Sequence, residues 1–341
     1  MNLRDFWYVA ATSAELSRNQ LVGRAILDEH VVLFRDENGD AVALEDCCLH
    51  RNAPLSAGSV ERGRLRCAYH GWLYEGDGRV AEIPSMVTQR RSAKPCVRTF
   101  AIREHEGYIH VRLARDPEEQ HEPAPLPMYG DPRYARVRLV HTMHNTVTNC
   151  AENFVDVPHT AYVHPVTFRA PRRQELVATV TRDNGTVTVT YANEVHRGAF
   201  SWFLNPKART IEHVDRFLMP NVTSVEYRFG AKKHLFITSQ SVPASTKQPL
   251  TTVYTDVAFH YGLWTALAKP FVRRRAKQII REDVGILARQ AEVIARMGGP
   301  RFHHSPIDLV HIYIESIREE LEQGRDPRRL PRESREVAFQ V

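Results

Sequence analysis

Cys48-x-His50 and Cys67-x-x-His70 stand sixteen residues apart in the stretch CLHRNAPLSAGSVERGRLRCAYHGWLYEGDGRV, so two short loops each offer one thiolate and one imidazole. A pair spaced by one or two residues in a tight turn can place both side chains on one side of its loop. Zinc competes for such a set, but zinc ligation tends to come as a Cys pair followed by a His pair. The order Cys-His, then Cys-His suits a [2Fe–2S] cluster in which the thiolates hold one iron and the imidazoles the other. Neutral imidazoles lower the negative charge at the cluster and raise its potential, which makes it an electron relay. Pro54, Gly58, Gly63, Gly71, Gly76 and Gly78 permit the turns that this requires. Against this reading stands a chance scatter of structural Cys and His. Cys47 falls outside the spacing and is expected to be a small buried apolar residue.

A second constellation lies in NFVDVPHTAYVHP: Asn153, Asp156, His159 and His164. Two His and one carboxylate on one face of a metal, with positions left open, is the ligand set of non-haem Fe(II) oxygenases. On an ideal helix, residues five apart are separated by about 140°, so His159 and His164 require a distortion, and Pro158 and Pro165 flank it. Asp156 precedes His159 by three and can accept from the ring nitrogen that does not bind metal. The plain alternative is a satisfied polar cluster. Asp283 is the expected third ligand, because it interrupts an apolar stripe of Ile280, Leu287 and Ile294, where a carboxylate is costly unless something positive meets it. A buried ion pair with an Arg is the alternative there. Glu282 points about 100° away and reads as a surface residue.

The elements that carry these residues fall into two parts of a 341-residue chain with 43% hydrophobic content, ample for two cores. Residues 1–115 alternate short β-like runs (Val31 to Phe34, Tyr108 to Leu113) with turn signals and predict an all-β domain. Residues 116–132, rich in Pro and Glu, read as a linker. Residues 133–330 predict an antiparallel sheet with helices on it, an α+β arrangement, and residues 331–341 a tail. Within the second domain ELVATVTRDNGTVTVTYANEV alternates about Asn184-Gly185, a hairpin signal. A helical pattern near 149–164 precedes this hairpin, and others lie at 262–297 and 306–323.

The formal net charge is +6, gathered in Arg273 to Arg275 and in Arg325, Arg328 and Arg329, which read as a solvated helix face and a frayed tail. The same charge could steer an acidic electron donor; no motif accompanies it that would read nucleic acid. The start MNLRDFWYVAATSAEL lacks the apolar run of a signal peptide, and no later run spans a membrane. Five cysteines, an odd number, fit a reducing compartment, so cytoplasm is the expected address.

On these residues the chain resembles the Rieske non-haem iron oxygenases. Their cluster motif is a CxH pair, then CxxH followed by Gly-Trp, here His70-Gly71-Trp72. Their catalytic domain, a helix-grip-type antiparallel sheet, carries NxxDxxHxxxxH and a distant Asp on a long helix, here Asn153, Asp156, His159, His164 and Asp283. The spacing is similar to the branch of vanillate O-demethylase, dicamba monooxygenase and toluenesulfonate methyl-monooxygenase oxygenases. The resemblance implies one [2Fe–2S] cluster and one mononuclear Fe(II) per subunit, electrons from a separate NAD(P)H-dependent reductase, with or without a ferredoxin between them, and a homotrimer. In that trimer Asp156 bridges His70 of one chain and His159 of the next. It implies O₂-dependent monooxygenation, by hydroxylation or oxidative demethylation, of a small organic, aromatic substrate. A steroid-like or alicyclic substrate is the alternative, and an electron carrier with a non-catalytic ligand-binding domain is the alternative of another class. No GxGxxG fingerprint follows a strand, so a nicotinamide site on this chain is not expected. Pocket residues are expected on strands of the 175–260 sheet and on the helix carrying Asp283.

Overall fold

The computed structural model describes residues 1–86, 95–116, 121–165, 174–195, 210–230 and 232–341. The chain forms two compact units: Leu3–Pro123 with Pro243–Lys247, and Ala124–Val242 with Gln248–Val341 and the first two residues. Of the stretch read as a linker, residues 117–120 lie outside the described residues.

The first unit is built from short antiparallel strands. β1 (Trp7–Thr12), β9 (Ala101–His105) and β10 (Tyr108–Arg112) form a sheet in the order β1-β10-β9. β2 (Val22–Ile26), β3 (Glu29–Arg35) and β4 (Ala41–Glu45) form a second, and β5 (Ser59–Glu61), β6 (Arg64–Arg66), β7 (Leu73–Tyr74) and β8 (Val80–Glu82) a third. Val31 to Phe34 are buried on both faces of β3, which makes it a central strand. Val32, Phe34, Leu44, Leu55, Leu65 and Tyr74 form a core that also contains Cys48 and Cys67. Removal of each large apolar side chain from water contributes about 1.5–3 kcal/mol, so the two cysteines are held by a rigid surround. Pro243–Lys247 joins this unit through Leu27 N–H to Pro243 O (2.9 Å) and Asp28 N–H to Ala244 O (3.1 Å), while the Asp28 carboxylate accepts from Ser245 and Thr246.

The second unit is an α+β arrangement around an eight-stranded sheet. Its strands are β11 (Ala135–Met143), β12 (Glu175–Asp183), β13 (Thr186–Ala192), β14 (Glu212–Leu218), β15 (Val222–Phe229), β16 (Lys233–Pro243), β17 (Thr251–His260) and β18 (Glu333–Gln340). They lie in the order β11-β17-β16-β15-β14-β13-β12-β18. Alternating burial along β12 and β14 gives the sheet one inward face. The β12–β13 hairpin turns at Asn184 (φ 48°) and Gly185 (φ 73°), the left-handed pair that a two-residue turn needs.

Among its described residues this unit also forms helices α1 (Val147–Val155), α2 (Thr160–Val163), α3 (Thr265–Arg296) and α4 (Leu309–Glu322). The Thr146 side chain caps α1 by accepting from Asn149 N–H. α3 buries only Ile280, Asp283 and Leu287, one stripe of a 32-residue helix. Ile280 packs with Val137 and Leu139 of β11 and Val257 and Phe259 of β17. That packing delivers Asp283 to the inside.

Three readings change. Residues 333–340 are not a tail but edge strand β18, paired with β12 from Glu333↔Arg182 to Gln340↔Glu175. Its side chains are at most half buried, so no apolar alternation announced it. Arg325 and Arg328 are not frayed, because Glu320 and Asp326 hold them in ion pairs. Cys47 is half buried rather than a core residue, and its Sγ accepts from Asn52 Nδ2 at 3.1 Å.

Candidate functional site

The two Cys-His loops of the first unit have matching backbones. Cys48 N–H donates to Ala53 O and Cys48 O accepts from Asn52 N–H; Cys67 N–H donates to Trp72 O and Cys67 O accepts from Gly71 N–H. The partners stand five and four residues downstream in both loops. Asn52 (φ 54°) and Gly71 (φ 70°) supply the left-handed residue of each turn. Gly58 lets the chain pass, since a Cβ there would sit 2.0 Å from Arg66 O.

These turns bring together two buried sulfurs and two imidazoles, His50 and His70, with ring centroids 4.4 Å apart. His50 stacks on Trp72, and its Nδ1 is buried without a hydrogen-bond partner. The Cys48 and Cys67 thiols interact with one another, and two neighbouring thiols with a buried, orphaned imidazole nitrogen on the same pair of loops are the donor chemistry that a metal cluster satisfies, so the four residues fit a [2Fe–2S] group. Tyr74 Oη lies 3.1 Å from Cys48 Sγ and accepts from Leu49 N–H at 3.2 Å, which leaves its own proton for the sulfur. Burial and the neighbouring Cys48 push the Cys67 thiol up, although Tyr69 and His70 N–H groups oppose them. His70 is exposed, whereas Cys48 and Cys67 are buried.

In the second unit the helical segment near 149–164 is broken at Asp156-Val157-Pro158, and the distortion that the spacing requires between His159 and His164 falls at His164, which leaves helical geometry (φ −124°, ψ 52°). His159 then begins α2 and His164 follows it. Their rings lie 5.6 Å apart at 78°. His164 Nε2 is 2.9 Å and His159 Nε2 is 3.8 Å from Asp283 Oδ1, and one donor atom from each of the three lies within 4.8 Å of the others. The opposite ring nitrogens are taken by carboxylates: His159 Nδ1 by Asp156 Oδ2 at 3.2 Å and His164 Nδ1 by Glu282 Oε2 at 2.6 Å. This fixes the Nε2 atoms toward one point, and two imidazoles and a carboxylate converging there fit a mononuclear iron.

Glu282 is the residue that the sequence reading missed. Adjacent carboxylates on a helix diverge by about 100°, and the flat His164 ring fits between them, one on each nitrogen. Burial alone would lower the His164 pKa, but Asp283 and Glu282 outweigh it and raise it. His141 of β11, also unremarked in the sequence, is pushed down to about 4 by burial against a weaker opposing pull from Asp283. It is a neutral imidazole with neither ring nitrogen hydrogen-bonded.

Beside the triad is a cavity of about 230 Å³. Strands β14 to β17 and helix α3 line it with Val225, Phe229, Ile237, Val257 and Ile280, and α1 adds Asn153, whose Nδ2 has no hydrogen-bond partner. Its few polar wall residues include Asp215, Thr255 and Arg275. Behind Asp215, His213 is stacked between Tyr191 (4.3 Å) and Tyr227 (4.0 Å). His213 Nε2 meets Asp215 Oδ1 at 2.9 Å, its Nδ1 meets Glu194 Oε2 at 2.6 Å, and Tyr191 Oη donates to Asp215 Oδ2 at 3.0 Å.

Residues 6–101 match the Rieske [2Fe-2S] domain family, and residues 143–321, just over half of the chain, match the vanillate O-demethylase oxygenase C-terminal domain family. The chain therefore belongs to the vanillate O-demethylase type of Rieske oxygenase family. It is 27% identical over 296 residues to the chloroplastic protein TIC 55 of Arabidopsis thaliana, covering 85% of this chain and 54% of that protein. It is 30% identical over 209 residues to a toluene-4-sulfonate monooxygenase system iron-sulfur subunit of Comamonas testosteroni, covering 58% and 59%. It is 36% identical over 165 residues to the dicamba O-demethylase oxygenase component of Stenotrophomonas maltophilia, covering 48% of each. These alignments span about half the length of the curated relatives. The crystal structure of dicamba monooxygenase bound to dicamba superposes with a TM-score of 0.77 at 23% identity, over 94% of this chain and 98% of that one, and shows the shared fold. Among the described residues no helix is long and apolar enough to cross a membrane.

Proposed function

We propose that this chain is the terminal oxygenase of a Rieske system, inserting oxygen from O₂ into a C–H bond or demethylating a small organic substrate. The observation that carries the reading is the convergence of His159, His164 and Asp283 at the wall of an apolar cavity, with both back-side ring nitrogens held by carboxylates. Cys48, His50, Cys67 and His70 would hold the cluster, and His159, His164 and Asp283 the mononuclear iron. The cluster supplies electrons one at a time and the iron supplies open positions at which O₂ is reduced.

Asp156 and Glu282 orient the imidazoles and keep their protons on Nδ1. The apolar walls exclude water and seat the substrate against the triad. Asn153 Nδ2 offers a donor toward the cavity. The exposed His70 edge, and an Asp156 side chain about one-third exposed, support an electron route from the His70 of one chain through Asp156 to the His159 of the next, in a trimer. The donor is a separate reductase, directly or through a ferredoxin, and a cytoplasmic address fits the unpaired cysteines.

The polar wall residues favour a substrate bearing a polar substituent over a bare hydrocarbon or sterol. Incubation with ¹⁸O₂, a reductase and a panel of aromatic ethers and methyl arenes tests the activity; label is expected in the alcohol formed from a methyl arene, and formaldehyde release is expected from an ether. Iron and sulfide quantitation on anaerobically prepared protein separates this reading from an electron carrier, which would hold the cluster iron and nothing further.

A further inference from the structure

The inward face of β14 presents His213, Asp215 and Phe217. Two ionisable groups inside a sheet are costly, and a buried ion pair by itself does little for stability. This one is nevertheless elaborately held, with His213 bonded at both nitrogens and clamped between two tyrosine rings. His213 cannot turn to another partner, so the Asp215 carboxylate is fixed as well. A carboxylate offers about four acceptor positions. Asp215 uses one on each oxygen, for His213 Nε2 and Tyr191 Oη, and it lines the cavity. A purely structural pair needs no opening onto a pocket.

We infer that Asp215 is the polar anchor of the substrate pocket, accepting a hydrogen bond from a hydroxyl or N–H group on an otherwise apolar substrate. The inference rests on the cavity being the oxygenase pocket. Alcohols, phenols and amines satisfy the remaining acceptor positions. A methyl ether of the same shape leaves the carboxylate desolvated and unmet, and an acid meets like charge. Arg275, on the helical wall rather than the sheet, is where an acidic group would go instead.

The test is binding to the holoenzyme, without O₂ or reductant, of p-cresol, p-methylanisole and p-toluate, read by calorimetry or ligand-observed NMR. p-Cresol is expected to bind about 10-fold or more tightly than p-methylanisole, a difference that one hydrogen bond to a charged acceptor supports. Asp215→Asn is expected to bring that ratio near unity, while Tyr191→Phe, which disturbs the same network but leaves the carboxylate, keeps it. Equal binding of cresol and anisole by the wild type, tighter binding of toluate, or an unchanged ratio in a folded Asp215→Asn protein would overturn the assignment. Should Asp215→Asn not fold, the wild-type ranking and Tyr191→Phe still decide. Because no turnover is involved, failure here is distinct from failure of the oxygenase reading, which would show as neither ¹⁸O incorporation nor formaldehyde release.

Discussion

The His213 network makes stability depend on pH in a window where few side chains titrate. Burial alone would lower the imidazole pKa; the Asp215 and Glu194 carboxylates outweigh it and hold it up at about 9, against an ordinary 6.5. A folded-state pKa above the unfolded value stabilises fully below the unfolded pKa, and that contribution is lost as pH rises through the folded one. The window is therefore pH 6.5 to about 9. At about 1.4 kcal/mol per pH unit, the contribution reaches roughly 3 kcal/mol, undiminished by solvent because the ring is enclosed. Urea unfolding at steps from neutral to strongly alkaline pH measures it, in wild type and in a His213→Gln/Asp215→Asn double variant that removes the charged pair. Wild type is expected to lose about 3 kcal/mol more than the variant across the window. Parallel curves for the two proteins would show that His213 is neutral in the fold, and the reasoning would fail.

Other perturbations have equally definite outcomes. Glu282→Gln leaves the triad atoms in place but weakens the grip on His164, so iron affinity is expected to fall about 10- to 100-fold, read by chelator competition. Asp156→Asn is expected to keep both metals while slowing turnover severely, measured by metal content beside single-turnover rates; full activity would refute the bridge. Tyr74→Phe removes the hydroxyl beside Cys48 Sγ and is expected to lower the cluster potential in a redox titration, with the cluster still assembled.

Much of the site was legible because metal chemistry constrains spacing. Cys48, His50, Cys67 and His70 are read from one local stretch, and the matching loops explain why short spacings suffice. The distortion between His159 and His164 was legible as a geometric necessity, since a regular helix would splay the two rings, and His164 takes it up at φ −124°, ψ 52°. Asp283 was legible as a charge on an apolar stripe. Glu282 was not, because its role depends on a ring arriving from more than a hundred residues away. His213 and Asp215 were hidden by their strand, where alternation marks the inward face but charge on that face argues against burial. Strand β18 was hidden because it is held through its backbone ladder to β12.

The loop Pro243–Lys247 has a practical consequence for anyone who treats this chain as two interchangeable modules. A fragment ending at residue 123 would leave Leu27 and Asp28 without the carbonyls and hydroxyls that they engage here. Grafting the amino-terminal half of a relative onto this carboxy-terminal half would mismatch the same contacts. Chimaeras that also transplant the turn between β16 and β17 should express and retain their cofactor where simple head-swaps do not.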